Sequence, residues 1–429
     1  MTTVIIGGGW SGLTAAVTLS QHSHPVQLLE SSPQLGGRAR SIQWHGITVD
    51  NGQHLMIGAY QQMLELFQLI GINENNIFNR LPMDLTIHDS TFSPLQLSAQ
   101  GSLPWPLSIA WTLFRSAGLS AVIELYRVQQ QISSILDKNI DLSVSDWLRS
   151  TKQSARMIQQ FWEPLCLATL NTPINEASAQ LLAAVLNDSL GQGKQAADLL
   201  IPKQPLGKLF PEPAANYIKQ HGSKIELKTR VVQLNIIDNQ VNSVTTSDQN
   251  EIACRNIIVA TGPSHTVKLL QPHITLSEPQ EYPICTIYLQ YSNTLRLGQA
   301  MFGMTGTISQ WIFDRSEQHP GMMAVVISGP GLHMDMNNAD LISQVCVEVH
   351  QLFPHLPSEV EDSLVIREKR ATFASTIGIQ SQRIQHKTQI NGLWLAGDYC
   401  DTGYPATLEG AILSGKKCAS QLLESLTPV

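Results

Sequence analysis

Apolar positions at the start of the chain alternate between strand-like runs and helical spacing. Thr3-Val4-Ile5-Ile6 is a short apolar run, Gly7-Gly8-Gly9-Trp10-Ser11-Gly12 interrupts it, and apolar residues then recur from Leu13 to Leu19. A second strand-like run, Val26 to Glu30, completes a strand–helix–strand unit. From about residue 79 to 207 helical patterns dominate, with Leu107–Phe114, Ala121–Leu136 and Ala177–Leu190 the clearest, and the stretch reads as a helical cap around a substrate. Between 224 and 260 the pattern changes to short strands separated by Asn, Asp and Gln turns: Ile225–Val232, Val241–Thr245 and Asn256–Ala260. Residues 283–291, 322–329 and 363–373 read as strands and 339–353 as a helix, which predicts a mixed sheet. A last strand, Leu393–Ala396, and a closing helix, Leu408–Leu423, return to the first domain.

With 429 residues, 43% of them hydrophobic and 14% charged, the chain can bury a large core and is expected to fold as two interleaved domains. A net charge of -7 without a basic stripe argues against nucleic acid as a partner. The six cysteines lie far apart with no CxxC pair, so neither a disulfide framework nor a metal site is expected, and a reducing cytoplasm suits them. Residues 2–6 lack a positive segment before them and read as a buried strand, not a signal peptide. No uninterrupted apolar stretch has the length of a spanning helix. The nearest approach, 103–126, is broken by Pro104, Pro106, Arg115 and Glu124. It reads either as a helix on a membrane surface, with Trp105, Trp111, Leu113 and Phe114 inserting, or as a core helix pair or the lining of an apolar pocket.

Gly7, Gly9 and Gly12 have the G-x-G-x-x-G spacing between a strand and a helix, the context that lets a dinucleotide pyrophosphate approach the backbone and a helix N-terminus. The first glycine permits the tight turn, the second clears the phosphate path and the third allows close helix packing. Glu30, ending the second strand, is placed to accept from a ribose hydroxyl pair. By itself this fingerprint does not distinguish FAD from NAD. Trp10 and Ser11 are included in the expected cofactor loop.

Leu35-Gly36-Gly37-Arg38-Ala39-Arg40 directly follows the acid and resembles the second glycine pair of the amine oxidase and phytoene desaturase superfamily of flavoproteins. The resemblance implies that Gly36, Gly37 and Arg38 run beside the phosphates and ribityl chain of a non-covalent FAD. Ala260-Thr261-Gly262 resembles the family's ATG segment, and Val231 the residue whose backbone meets adenine. Gly397-Asp398, followed by Leu408-Glu409 opening the last helix, resembles the segment that places an acid on the ribityl chain and a helix N-terminus under the flavin ring. The expected fold is therefore α/β: a Rossmann-like FAD-binding domain (1–78, 208–268 and 377–429) interleaved with a mixed-sheet plus helical substrate domain (79–207 and 269–376).

Longer stretches resemble one branch, the bacterial hydroxysqualene dehydroxylases, also described as squalene-associated FAD-dependent desaturases. They are Val49-Asp50-Asn51-Gly52-Gln53-His54-Leu55, Trp162 to Ala168 running into Leu170-Asn171-Thr172-Pro173, Glu368 to Phe373, and Gly403-Tyr404-Pro405-Ala406-Thr407. The resemblance implies reductive dehydroxylation of hydroxysqualene to squalene, with hydride from reduced FAD, in squalene and hopanoid biosynthesis. Such a reaction needs an acid for the leaving hydroxyl. Candidates are Glu163, Asp401, Tyr404 and His54, with a structural role as the alternative for Glu163 and His54; Asp50 is expected to hold its own turn. A poorly soluble isoprenoid substrate implies a cytoplasmic protein in peripheral contact with the inner face of the membrane. Only one dinucleotide fingerprint is present, so the electron donor is unidentified. A carotenoid-type desaturase is the rival reading, and a flavin-free prenyl-binding escort protein a remote one. Cys400 lacks the context for covalent flavin attachment.

Overall fold

A computed structural model describes residues 2–137, 141–292, 295–357 and 359–426; the extreme ends of the expected flavin domain lie outside the described residues. The opening unit is strand β1 (Thr3–Ile6), helix α1 (Trp10–Gln21) and strand β2 (Val26–Leu29). Both strands are buried apolar runs, as strands covered on both faces must be. They form the middle of a five-stranded parallel sheet, whose order across the sheet is Lys224–Glu226, β2, β1, Asn256–Val259 and Leu393–Leu395. Register is set by apolar pairs such as Ile5 with Leu28 and with Ile258. Three distant stretches of chain thus build one α/β layer. The closing helix, Leu408–Leu426, packs along α1. Their approach is close enough that a Cβ on Gly415 would lie 2.3 Å from the Ser11 carbonyl oxygen.

The second domain centres on a seven-stranded mixed sheet. Its order is Asp362–Phe373, Glu281–Gln290, Met322–Ser328, Trp311–Asp314, Met301–Thr305, Asp84–Asp89 and Leu95–Ser98. All pairings are antiparallel except that of Met301–Thr305 with Asp84–Asp89. The helices Trp105–Leu136 and Ala179–Gly191 pack together, and Trp147, Trp162 and Leu182 are fully buried in the core they share.

Several local expectations need correction. The start of the supposed helical cap is strand: Phe78–Leu81 pairs with Leu199–Pro202, and Asp84–Asp89 with a strand more than two hundred residues away, partners invisible to a local window. Ile225–Val232 is two strands in different sheets, Lys224–Glu226 and Val231–Ile237, separated by a turn in which Lys228 takes φ +57°. Met301–Thr305 and Trp311–Asp314 were not expected.

Leu107–Phe114 and Ala121–Leu136 are limbs of one 32-residue helix, Trp105–Leu136, broken at Gly118 (φ +86°). By length and composition this helix could cross a membrane, contrary to the expectation from its interruptions. The structure instead gives it a buried side and an exposed side. Leu113 is in the core and cannot be an inserting group, and Trp105 packs partly against the core, whereas Trp111 and Phe114 are exposed.

Candidate active site

The carboxyl ends of the parallel strands carry the site. Gly7 takes φ +110°, and a Cβ there would sit 2.6 Å from the Ala260 carbonyl oxygen, so the turn leaving β1 has no room for a side chain. A Cβ on Gly12 would lie 2.1 Å from the Gly7 carbonyl oxygen. Gly9 differs, because the nearest atom to its Cβ position is the Gly37 Cα at 3.9 Å. Its open side lies at the first turn of α1, where no side chain caps the N–H groups. In the same turn Ser11 is buried and its Oγ has no hydrogen-bond partner. A pyrophosphate would satisfy all three features: the cleared glycine face, the uncapped helix N-terminus and the orphaned hydroxyl.

Glu30 is buried at the end of β2, where Oε2 accepts from the Gly8 N–H (2.6 Å) and Oε1 from the Ser32 N–H (2.7 Å). Oε1 also accepts from the Ser31 hydroxyl (3.4 Å), so Oε2 retains a lone pair for a further donor. Trp10 faces the other way: its ring packs 4.8 Å from Phe210 and its Nε1 donates to the Ala39 carbonyl, so only its backbone borders the loop. The Gly36 N–H donates to the Gly8 carbonyl (2.9 Å), which lays Gly36 and Gly37 against the first loop. Thr229 donates its N–H to the Glu30 carbonyl just before Val231 opens its strand, bringing that residue past the end of β2. Ala260 pairs with Ile6, Thr261 bonds Thr266 through its hydroxyl, and Gly262 opens helix Pro263–Leu270 with open space at its Cβ position.

Arg38 and Asp398 turn out to be partners. Arg38 donates to Asp398 Oδ1 (2.5 Å) and to the Ala371 carbonyl (2.7 Å). Burial works against the guanidinium charge, but the Asp398 carboxylate more than offsets it and raises the arginine's pKa. Asp398 is itself buried, and the Gly397 N–H is held by the Ser414 hydroxyl of the closing helix (2.8 Å). Leu408 opens that helix, but the Glu409 side chain serves another one: its carboxylate accepts from the Gln62 and Met63 N–H groups and caps helix Gln61–Leu69.

The longer segments interlock around this pair. Asn51 donates to Glu368 (3.3 Å), and Asn171, in the left-handed conformation, donates to Thr372 Oγ1 (2.9 Å) and accepts from the Gly329 N–H (2.6 Å). Asp50 does more than hold its turn, since it accepts from the Leu206 N–H and the Ser41 hydroxyl and lies 3.9 Å from Arg315. Burial raises its pKa to about 6.

The proposed acids separate. His54 is pushed down to about 4 by burial and then by the Arg38 charge, so it is neutral at pH 7. Tyr404 donates its phenol to Asp188, on helix Ala179–Gly191. Burial and then that carboxylate raise its pKa and keep the proton on oxygen. Asp401 accepts from Gln385 (3.0 Å), and its carbonyl accepts from Lys417, a structural arrangement near the surface. Glu163 is open to solvent, yet desolvation by the surrounding protein raises its pKa. Sequence reasoning missed Asp188, although an acid inside an apolar helical pattern was an available signal. It also missed buried Arg383, which donates to the carbonyls of Asp398 (2.6 Å) and Tyr404 (2.5 Å) and to Thr402 Oγ1 (2.8 Å), and so ties down the 398–404 loop. No local pattern marks that arginine.

The family model described as flavin containing amine oxidoreductase matches residues 10–423. The chain belongs to this family. This flavin containing amine oxidoreductase is an FAD-dependent enzyme, and the pyrophosphate cradle described above fits that cofactor. Similar curated proteins include the hydroxysqualene dehydroxylases of Zymomonas mobilis and Rhodopseudomonas palustris. Each is 26% identical to the chain and covers 98% of it, with 99% and 97% of the relatives covered. A 15-cis-phytoene desaturase of an Oncidium hybrid is 22% identical over 98% of this chain and 77% of its own. Among solved structures, an oxidoreductase from Methanosarcina mazei (TM-score 0.76, 17% identity, covering 99% of this chain and all of that one) shares the fold. So does cyclohexylamine oxidase from Brevibacterium oxydans (TM-score 0.73, 16% identity, 99% of both chains).

Proposed function

We propose that the enzyme reductively removes the allylic hydroxyl of hydroxysqualene to give squalene and water. The observation that carries this reading is the full-length similarity to hydroxysqualene dehydroxylases. The dehydroxylase-like segments also interlock at the flavin end of the site, through Asn51 with Glu368 and Asn171 with Thr372. FAD, bound in its reduced form, would supply the hydride that replaces the hydroxyl on carbon. The protein would supply the proton with which the hydroxyl, taking the electron pair of the C–O bond, leaves as water.

The protein's own part is positioning and protonation. The Gly9 face, Ser11 and the α1 N-terminus would hold the pyrophosphate, and Glu30 would receive the ribose. The Arg38–Asp398 pair, locked by Arg383, sets the ribityl side of the pocket. His54 is neutral at pH 7, Tyr404 is committed to Asp188 and Asp401 is bonded to Gln385 and Lys417, so of the four candidates Glu163, whose pKa is raised, is assigned as the proton donor for the leaving hydroxyl. Similarity to phytoene desaturases supports a second reading, in which hydride passes from a polyene precursor to oxidised FAD.

Anaerobic single turnover separates the two. Dithionite-reduced enzyme mixed with hydroxysqualene should form squalene in step with the return of oxidised-flavin absorbance, and Glu163→Gln should slow that step with FAD content unchanged. Flavin that stays reduced, together with desaturation of phytoene by oxidised enzyme, would replace the dehydroxylase reading with the desaturase one.

A further inference from the structure

The long helix Trp105–Leu136 carries a surface that neither the cofactor site nor the substrate reading uses. On its first limb Leu107, Trp111 and Phe114 are exposed at i, i+4 and i+7, and on its second Leu119, Ile123 and Tyr126 repeat that spacing. The two stripes flank the break at Gly118. Trp111 is 51% exposed, Leu119 62% and Tyr126 58%. These are large apolar groups, grouped too closely to be the scattered single hydrophobics of an ordinary surface.

Charge on the same surface follows one sign. Each stripe ends on an aromatic residue followed by an exposed arginine, Phe114-Arg115 and Tyr126-Arg127. Neither arginine forms an ion pair among the described residues. The one acid of the helix, Glu124, is buried on the opposite side, where it accepts from the Ser154 N–H and hydroxyl. In a chain with net charge -7, the exposed charged groups within this helix are both arginines.

We infer that this face docks peripherally on an anionic phospholipid bilayer, with the two apolar stripes in the interface and Arg115 and Arg127 at the headgroups. Aromatic rings beside arginines suit the boundary between acyl chains and headgroups. Anionic lipid supplies the counter-charge that the protein itself withholds. A second copy of the chain fits less well, because a two-fold contact through this face would set arginines against arginines, and the helix's own acid, Glu124, is buried on the other side. Insertion as a span is opposed by the buried side, where Ile109, Leu113 and Val128 belong to the protein core. The inference concerns only this helix and stands whether or not the substrate is hydroxysqualene.

The test is co-sedimentation of the FAD-loaded protein with vesicles of phosphatidylglycerol and phosphatidylcholine, without substrate. Wild type should partition onto anionic vesicles, and the triple variant Trp111→Ser, Phe114→Ser, Leu119→Ser should lose about tenfold or more of that partitioning with flavin absorbance retained. Arg115→Gln and Arg127→Gln should each weaken it about fivefold at low salt. Quenching of tryptophan fluorescence by brominated lipid, reduced in Trp111→Phe, gives a second readout that does not depend on the triple variant folding. Absence of vesicle binding, or binding indifferent to these substitutions, overturns the inference. So does concentration-dependent dimerisation that the triple variant abolishes while neither protein binds vesicles, which would assign the face to a second copy.

Discussion

α1 and the long helix Trp105–Leu136 are both strongly apolar, both contain a glycine, and meet opposite surroundings. α1 buries every residue from Trp10 to Ser20 between the parallel sheet, the closing helix and the helix Pro211–Gln220. The long helix buries only one side, and the rest of its 32 residues face outward or lie at the margin. Their glycines differ in the same way. Gly12 is there because no side chain fits, whereas Gly118 has φ +86° and open space around its Cβ position. Apolar composition creates the tendency to leave water, and the neighbours decide whether protein or some other partner receives it.

The largest effect that would break this contrast lies in α1. Gly12→Val forces a side chain onto the Gly7 carbonyl and should cost about 3 kcal/mol or more, read as loss of soluble, flavin-loaded protein. Gly9→Leu fills the phosphate path with the fold intact, so it should give a colourless protein with a normal apoprotein unfolding curve. If both variants bind FAD at wild-type levels, the account of the loop fails.

Next comes the buried pair at the far end of the cofactor. Asp398→Ala leaves Arg38 unpaired beside a buried loop and should destabilise by about 3 kcal/mol, the lower end of the range because the Arg38 side chain is one-third exposed. Urea unfolding measures it. A cost within error of zero would mean that solvent replaces Asp398 without loss.

A pH experiment sharpens the comparison at the closing helix. Burial raises Glu409 from its ordinary 4.5 to about 7, so between those values the folded chain holds a proton that the unfolded chain releases. This group's contribution to stability therefore falls as pH rises from about 4.5 to 7 and is constant above. Glu409→Gln should remove that slope, which is worth up to about 3 kcal/mol, when urea unfolding is followed across the window. An unchanged profile would show that the carboxylate titrates normally.

The smallest effect belongs to the exposed helix. Gly118→Ala should cost about 1 kcal/mol, from backbone strain at positive φ and not from crowding. If thermal unfolding shows alanine at 118 to be as damaging as valine at 12, the two helices do not differ as described.

Legibility follows the same division. The glycine loop could be read from the sequence because each glycine's role is local: a turn, an open face and a close helix contact within six residues. β1, α1, β2 and the last strand and helix were readable for the same reason, since strict periods and breakers mark them. The strands Asp84–Asp89 and Met301–Thr305 were not: each has a hairpin partner nearby, but the parallel pairing that joins them into one sheet spans more than two hundred residues. The Arg38–Asp398 pair shows both cases, since each residue was identifiable as belonging to the site but not as the other's partner. Asp188 was marked only as an acid inside an apolar helical pattern, and Arg383 by nothing local.

The sequence by itself determined the dinucleotide loop and the apolar character of 103–126, because spacing and composition are properties of the chain, and its longer segments carried the resemblance that implied the family and FAD. Only the tertiary structure decided that Trp10 and Leu113 turn inward while Trp111 and Phe114 face out. It alone paired Arg38 with Asp398, gave Glu409 to a neighbouring helix and left Ser11 without a partner. Burial and hydrogen-bond partnership belong to the packed arrangement, in which residues hundreds of positions apart take water's place.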